Sequence, residues 1–134
     1  MPRESKPRRR ESGRFAYEGL ERAIHEKARL GILTSLMTRR EGLLFTELKQ
    51  LCSLTDGNLN RHLKVLQDAG LVEAWKGSQK GKAQTLCRLT PEGRRRFLEY
   101  VAVLEQVVSD AASAASTATS KSARRDLLGG WSPA

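Results

Sequence analysis

The feature that most constrains this chain is the run TDGNLNRHLKVLQDAG at residues 55–70. It reads as one helix with a start and a stop. The Thr55 hydroxyl can accept a backbone N–H left unpaired in the first turn, and Gly70 sits where a left-handed residue closes a helix. Leu59, Leu63 and Leu66 recur at i, i+4 and i+7, which stacks them on one face. At about 100° per residue the opposite face carries Gly57, Arg61 and Lys64, with Asn58 and Asn60 beside it near the start. Amides, a guanidinium and an ammonium without a bulky apolar neighbour suit a nucleic acid. Asn pairs bidentately with adenine, Arg with guanine, and Lys neutralises a phosphate. A polar outer face is also what any solvated amphipathic helix shows, so the surroundings have to decide.

After the helix come a strand at 71–76, a glycine- and lysine-rich loop at 77–82 and a second strand at 84–89. Thr90-Pro91-Glu92 then opens another helix: threonine caps, proline takes the first helical position and glutamate favours the positive helix end. Helix, hairpin and helix in this order, with the run LTDGNLNRHLKVLQDAGLV at 54–72, resemble the recognition helix and wing of winged helix-turn-helix transcriptional regulators. The likeness is to the ArsR/MarR-like group, nearest its small metal-free members, and it spans about 17–108. It implies an α+β fold that is mostly helical, with a small antiparallel wing and a C-terminal dimerisation helix. It also implies a sequence-specific, double-stranded DNA-binding regulator, expected to be a repressor. Asn58, Asn60, Arg61 and Lys64 would enter the major groove, while Lys76, Lys80, Lys82 and Arg88 would hold the wing at 76–84 on the backbone or in the minor groove. The alternative is a winged-helix module that binds a protein and touches nucleic acid without specificity.

Composition agrees with a nucleic-acid partner. The 134 residues suffice for one domain, and with aromatics at 5% its core has to be aliphatic. Lys+Arg number 24 against 15 Asp+Glu, a formal charge of +9, which favours an acidic polymer. No secretory segment and no membrane-length apolar run is visible. Two cysteines, Cys52 and Cys87, make no disulfide framework, so a cytoplasmic setting is expected.

Read in order, 1–14 is a basic arm expected to lack regular structure; it is either a solubilising tail or an arm that follows phosphates. A first helix is expected at 15–25 with Leu20 and Ile24 on one face. Helical spacing continues at 26–39 through Leu33, Leu36 and Met37. An edge strand at 43–45 comes next, then a helix from 47 to 51 or 52, capped by Thr46, with Leu48 and Leu51 inward. Ser53-Leu54 turns into the recognition helix, completing a helix-turn-helix. In the last helix Phe97, Val101, Leu104 and Val108 form a stripe that continues beyond the closed domain. With Leu20 and Ile24 it is the expected homodimer seam. The domain thus runs over 15–109, ahead of a low-complexity tail at 110–134.

Nothing in the chain suggests an enzyme. P-loop, nucleophile-elbow and HExxH signatures are all missing. His25 and His62 fall on separate helices; His62 is expected as a partly buried ring or a phosphate contact. The arsenic and zinc sensors of the resembled group carry paired thiolates near the helix before the recognition helix. Here Cys52 stands alone, and a closed thiolate site needs about four soft ligands. No metal or cofactor is expected, and Cys52 reads as a small core residue. A small-molecule effector cannot be assigned. The aromatic candidates for a MarR-like phenolic pocket, Phe15, Tyr17, Phe97 and Tyr100, read better as packing between terminal helices.

Overall fold

The computed structural model describes residues 13–117 and 129–134. In chain order the elements are α1 (Lys27–Met37), β1 (Leu43–Leu44), α2 (Phe45–Cys52), α3 (Asp56–Asp68), β2 (Val72–Gln79), β3 (Lys82–Leu89) and α4 (Pro91–Thr117). The strands form one antiparallel sheet in the order β1-β3-β2. Three helices, a hairpin wing and a long last helix are the expected α+β winged helix-turn-helix.

Helices α1, α3 and α4 each start where a side chain accepts a free amide of the first turn. Glu26 accepts the Arg29 amide at 2.9 Å to open α1. Thr55 accepts the Asn58 amide at 3.2 Å to open α3. Thr90 accepts the Gly93 amide at 2.8 Å ahead of Pro91 and α4. Helix α2 departs from expectation. It starts at Phe45, and Glu47 rather than Thr46 supplies the cap contact, its Oε1 accepting the Leu44 amide at 2.8 Å. Leu51 is also exposed rather than inward. Cys52, one helical turn after buried Leu48, takes the inward place in the last turn, with its sulfur 3.7 Å from the Ser35 hydroxyl.

The core is aliphatic around two aromatic rings. Ile32, Leu33 and Leu36 of α1 pack with Leu48, Leu59, Leu66, Leu71 and Cys87, and all are fully buried. Phe97 and Tyr100 of α4 stack at 6.2 Å within the same cluster. Each fully buried leucine contributes about 1.5–3 kcal/mol relative to exposure. Helix α4 lies so close to the start of β2 that a Cβ on Gly93 would stand 2.0 Å from the Leu71 carbonyl oxygen. Only glycine fits there.

The segment expected as a first helix is instead a series of turns over 13–26. Tyr17 adopts a left-handed φ of 50°, and a Cβ on Gly19 would stand 2.6 Å from Val103 Cγ2. Tyr17 donates to Asp110 at 2.6 Å, Glu21 pairs with Arg96 at 2.7 Å, and Ile24 is fully buried. Contacts with α4 therefore decide the path, over a helical spacing that is only local. The wing also differs, since its ladder continues through the expected loop to Gln79↔Lys82. Only Lys80 and Gly81 turn, with φ of 52° and 77°, the paired left-handed residues that suit a two-residue hairpin. Finally, α4 runs past the expected tail boundary to Thr117, as an alanine-rich segment allows. The arm up to residue 12 and the tail at 118–128 lie outside the described residues.

Candidate nucleic-acid interface

Helix α3 stands across a short turn from α2, whose last turn closes on Ser53 with φ 54°. Lys49 spans the turn to Asp56 at 2.8 Å. The leucine face and His62 are buried, whereas Gly57, Asn58, Asn60, Arg61, Lys64, Gln67 and Asp68 are all exposed. All four α3 residues expected to enter the major groove therefore present themselves to solvent. Asn58 and Arg61 are already joined, since Arg61 Nη2 donates to Asn58 Oδ1 at 3.0 Å. Lys64 stands 3.7 Å from Asp68 across an exposed turn, a pair that water screens and a phosphate can displace.

Beside α3 lies a groove shared with the sheet. Asn60, Lys64 and Gln67 line one wall, and Lys76 of β2 with Thr85 of β3 the other. Register explains the second wall: Lys76 and Thr85 are directly opposite in the ladder, so they project on the same side. An adjoining hollow between α2 and the wing is lined by Thr46, Lys76 and Lys82. Lys80 occupies the exposed turn at the wing tip. Of the expected wing lysines, Lys76 lines the α3 groove and Lys82 the adjoining hollow, while Lys80 stands apart at the tip. Gln67 and Thr46 are additions that the sequence reading misses. Gln67 is within its reach, lying seven residues after Asn60 and three after Lys64 on the same face, whereas Thr46 reads from sequence as a helix cap.

Arg88 is not brought to this groove. It pairs in the ladder with Glu73, donating from Nε at 2.8 Å, and its guanidinium lies 5.6 Å from the Trp75 ring centroid. Its hollow is shared with Arg40 and Arg94. The expected dimer residues also divide. Ile24 and Phe97 are in the core of a single copy, which leaves them no surface for a second one, and Leu20, Val101 and Leu104 are half-buried against that core. Val108 is 63% exposed, and Leu98, not anticipated, is 51% exposed.

The cysteines and histidines are set apart from the groove. Burial pushes the Cys87 thiol up to about 11. His62 is buried beside Arg29 and Glu26, so of its two expected roles the structure gives it the inward one. His25 Nδ1 meets the Tyr100 hydroxyl at 2.5 Å. Among the described residues no group of three His, Cys, Asp or Glu side chains is placed to hold a metal ion, and no helix is long and apolar enough to cross a membrane.

A family model described as a winged helix DNA-binding domain matches residues 28–108, which takes in nearly all of α1, then α2, α3, the sheet and the first two-thirds of α4. The chain belongs to the winged helix DNA-binding domain family. This family is a DNA-binding one and not a family of enzymes, and the sequence resemblance to winged helix-turn-helix regulators stands with it. An uncharacterised protein of Methanocaldococcus jannaschii is 44% identical over 57 residues, which are 42% of this chain and 62% of that protein. The chain thus matches less than two-thirds of that relative's length. A transcriptional regulator homologue from Pyrococcus horikoshii OT3 superposes with a TM-score of 0.61 at 27% identity, over 66% of this chain and 86% of that one. The M. tuberculosis regulator MosR, solved in complex with DNA, gives 0.56 at 23% identity over 84% and 80%. A MarR family regulator from Streptomyces coelicolor, also solved with DNA, gives 0.50 at 21% identity over 88% and 80%. The last two likenesses are of fold alone.

Proposed function

We propose that this winged helix protein is a sequence-specific double-stranded DNA-binding transcriptional regulator acting as a repressor in the cytoplasm. The observation that carries the reading is the groove, in which polar and basic α3 side chains meet Lys76 of the wing. Helix α3 enters the major groove, where Asn58, Asn60 and Arg61 face base edges and Lys64 faces a phosphate. Lys76, Lys80 and Lys82 follow the backbone or the adjacent minor groove. Arg88, tied to Glu73 and Trp75 on another part of the sheet, is left out of the contact set. The protein acts as a homodimer through α4, where Leu98 and Val108 are apolar surface that one copy leaves in water. Two copies of α3 then face half-sites about 34–36 Å apart, and the operator is an imperfect palindrome. The MosR and Streptomyces structures, solved with DNA, support the docking mode by fold.

Selection of bound fragments from a genomic library, followed by salt-titrated binding to a recovered duplex and a mixed-sequence duplex, tests this. A recovered inverted repeat bound far more tightly than mixed sequence is the expected result. Equal affinity for both would favour the second reading, a protein-binding module with nonspecific nucleic-acid affinity. That reading has one observation of its own: Trp75 is 53% exposed on the wing.

A further inference from the structure

Two arginines reach the inner side of α3, and both are held by the irregular segment that precedes α1. Arg96 of α4 donates from Nη1 to the Ala69 carbonyl oxygen at 2.8 Å. Ala69 is where α3 ends, and there the unpaired carbonyls and the negative end of the helix dipole collect. The same guanidinium directs its other two nitrogens to one carboxylate: Nε donates to Glu21 Oε2 at 3.1 Å and Nη2 to Oε1 at 2.7 Å. All three nitrogens are engaged, and their plane fixes the angle between the two partners. Two turns earlier in α3, Arg29 Nη1 lies 3.3 Å from Nδ1 of buried His62. A guanidinium has no acceptor, so in this contact Nδ1 can only accept. Arg29 is itself fixed by the segment. Its Nε donates to the Ala23 carbonyl oxygen at 2.7 Å, and its amide donates to Glu26 Oε1 at 2.9 Å.

We propose that residues 21–26 set the recognition helix: Glu21, Ala23 and Glu26 hold Arg96 and Arg29, and these two positioning residues fix how far α3 is rotated toward the duplex. The inference rests on the DNA-reading role given to α3 above. The leucine face by itself specifies rotation weakly, because apolar burial is not directional. Two hydrogen-bonded anchors at His62 and Ala69, seven residues apart and so nearly on one face, add the missing direction. Neither arginine lines the groove of Asn60 and Lys64. Their effect on reading therefore passes through the helix.

The test uses the full chain with Glu21→Gln, Arg29→Met and Arg96→Met, and Arg96→Lys as the conservative variant. Hydrogen exchange of the α3 amides is measured without DNA, and binding is measured on a duplex recovered by selection and on a mixed-sequence duplex. Faster exchange in α3 is expected in each variant. Discrimination between the duplexes should fall about five- to tenfold, with mixed-sequence affinity held within about twofold because phosphate contacts are intact. Arg96→Lys, which restores a charge at Ala69 but not the fork to Glu21, should recover only part of the discrimination. Glu21→Gln, the mildest change, keeps the test usable if a methionine variant does not fold. Altered exchange with unaltered discrimination would reduce the arginines to stability alone and overturn the proposal, as would unaltered exchange. A wild type that selects no duplex overturns the DNA-reading role itself, and the exchange data, taken without DNA, keep that outcome separate.

Discussion

Arg61 and its neighbour Asn58 show how little a single side chain need move to change partners. Their 3.0 Å hydrogen bond is exposed, so exchanging it for a base edge costs little burial. Arg61→Ala should weaken binding to a selected duplex by about 1–3 kcal/mol, the worth of a bidentate base contact. Its effect on mixed-sequence DNA should be much smaller, and equal losses on both would make Arg61 a phosphate contact. At the same scale the two thiols should part company. Cys87, fully buried with its thiol pushed up to about 11, offers almost no thiolate at neutral pH. Half-buried Cys52 should alkylate first in the native protein, with Cys87 labelled only on unfolding, as read by peptide mass spectrometry. Residue identity is the most legible part of the site. The i, i+4, i+7 leucines tell which side of 55–70 is outward, and all four outward candidates are exposed. Arg88 is not legible in the same way, because its partner Glu73 lies on the other strand, fifteen residues earlier, and a cross-strand pair depends on register that composition does not reveal.

Among the elements, those that are legible carry their own end signals. Thr55 and Gly70 bracket α3, and Thr90-Pro91 opens α4, where the structure has both begin. The segment 13–26 has no such signals, and its path is decided by a glycine against Val103 and by polar contacts to α4. Long-range pairing of that kind overrides local spacing. Gly93 is similar: only the closeness of the Leu71 carbonyl explains it. The wing yields a prediction at this scale. Replacing Lys80 and Lys82 with alanine should weaken recovered and mixed duplexes alike and lower the salt slope by roughly 0.9 for each phosphate no longer neutralised. A slope that stays the same would mean the tip points away from the backbone.

Over the whole molecule, the segment 13–26 ties to α4 through carboxylates that titrate low. The Arg96 guanidinium bonded to Glu21 holds its carboxyl below the ordinary 4.5, and the Tyr17 hydroxyl donating to Asp110 holds that carboxyl below 3.8. Both favour the folded state while ionised. Their stabilisation is full above the ordinary values and declines as pH falls through the lowered ones. Denaturant midpoints should hold near neutrality and decline below about pH 4.5, less steeply in Glu21→Gln. The dimer belongs to this scale too. Val108→Glu places a charge on surface that a single copy leaves 63% exposed, so the protomer should fold normally while sedimentation shows a monomer and affinity for an inverted repeat collapses. A wild type that sediments as a monomer at micromolar concentration would remove the two-fold arrangement.

The hairpin turn at Lys80 and Gly81 has a consequence for how this chain can vary. The ladder is in register from Val72↔Leu89 out to Gln79↔Lys82, and side chains alternate sides along it. Adding or deleting one residue on β2 ahead of Lys76 without a compensating bulge would carry every residue beyond that point to the opposite side, and Lys76, which now borders the groove, would be turned from it. Lineages descended from this sequence should therefore lengthen or shorten the wing by matched changes on both strands, adding or removing whole cross-strand pairs at the tip.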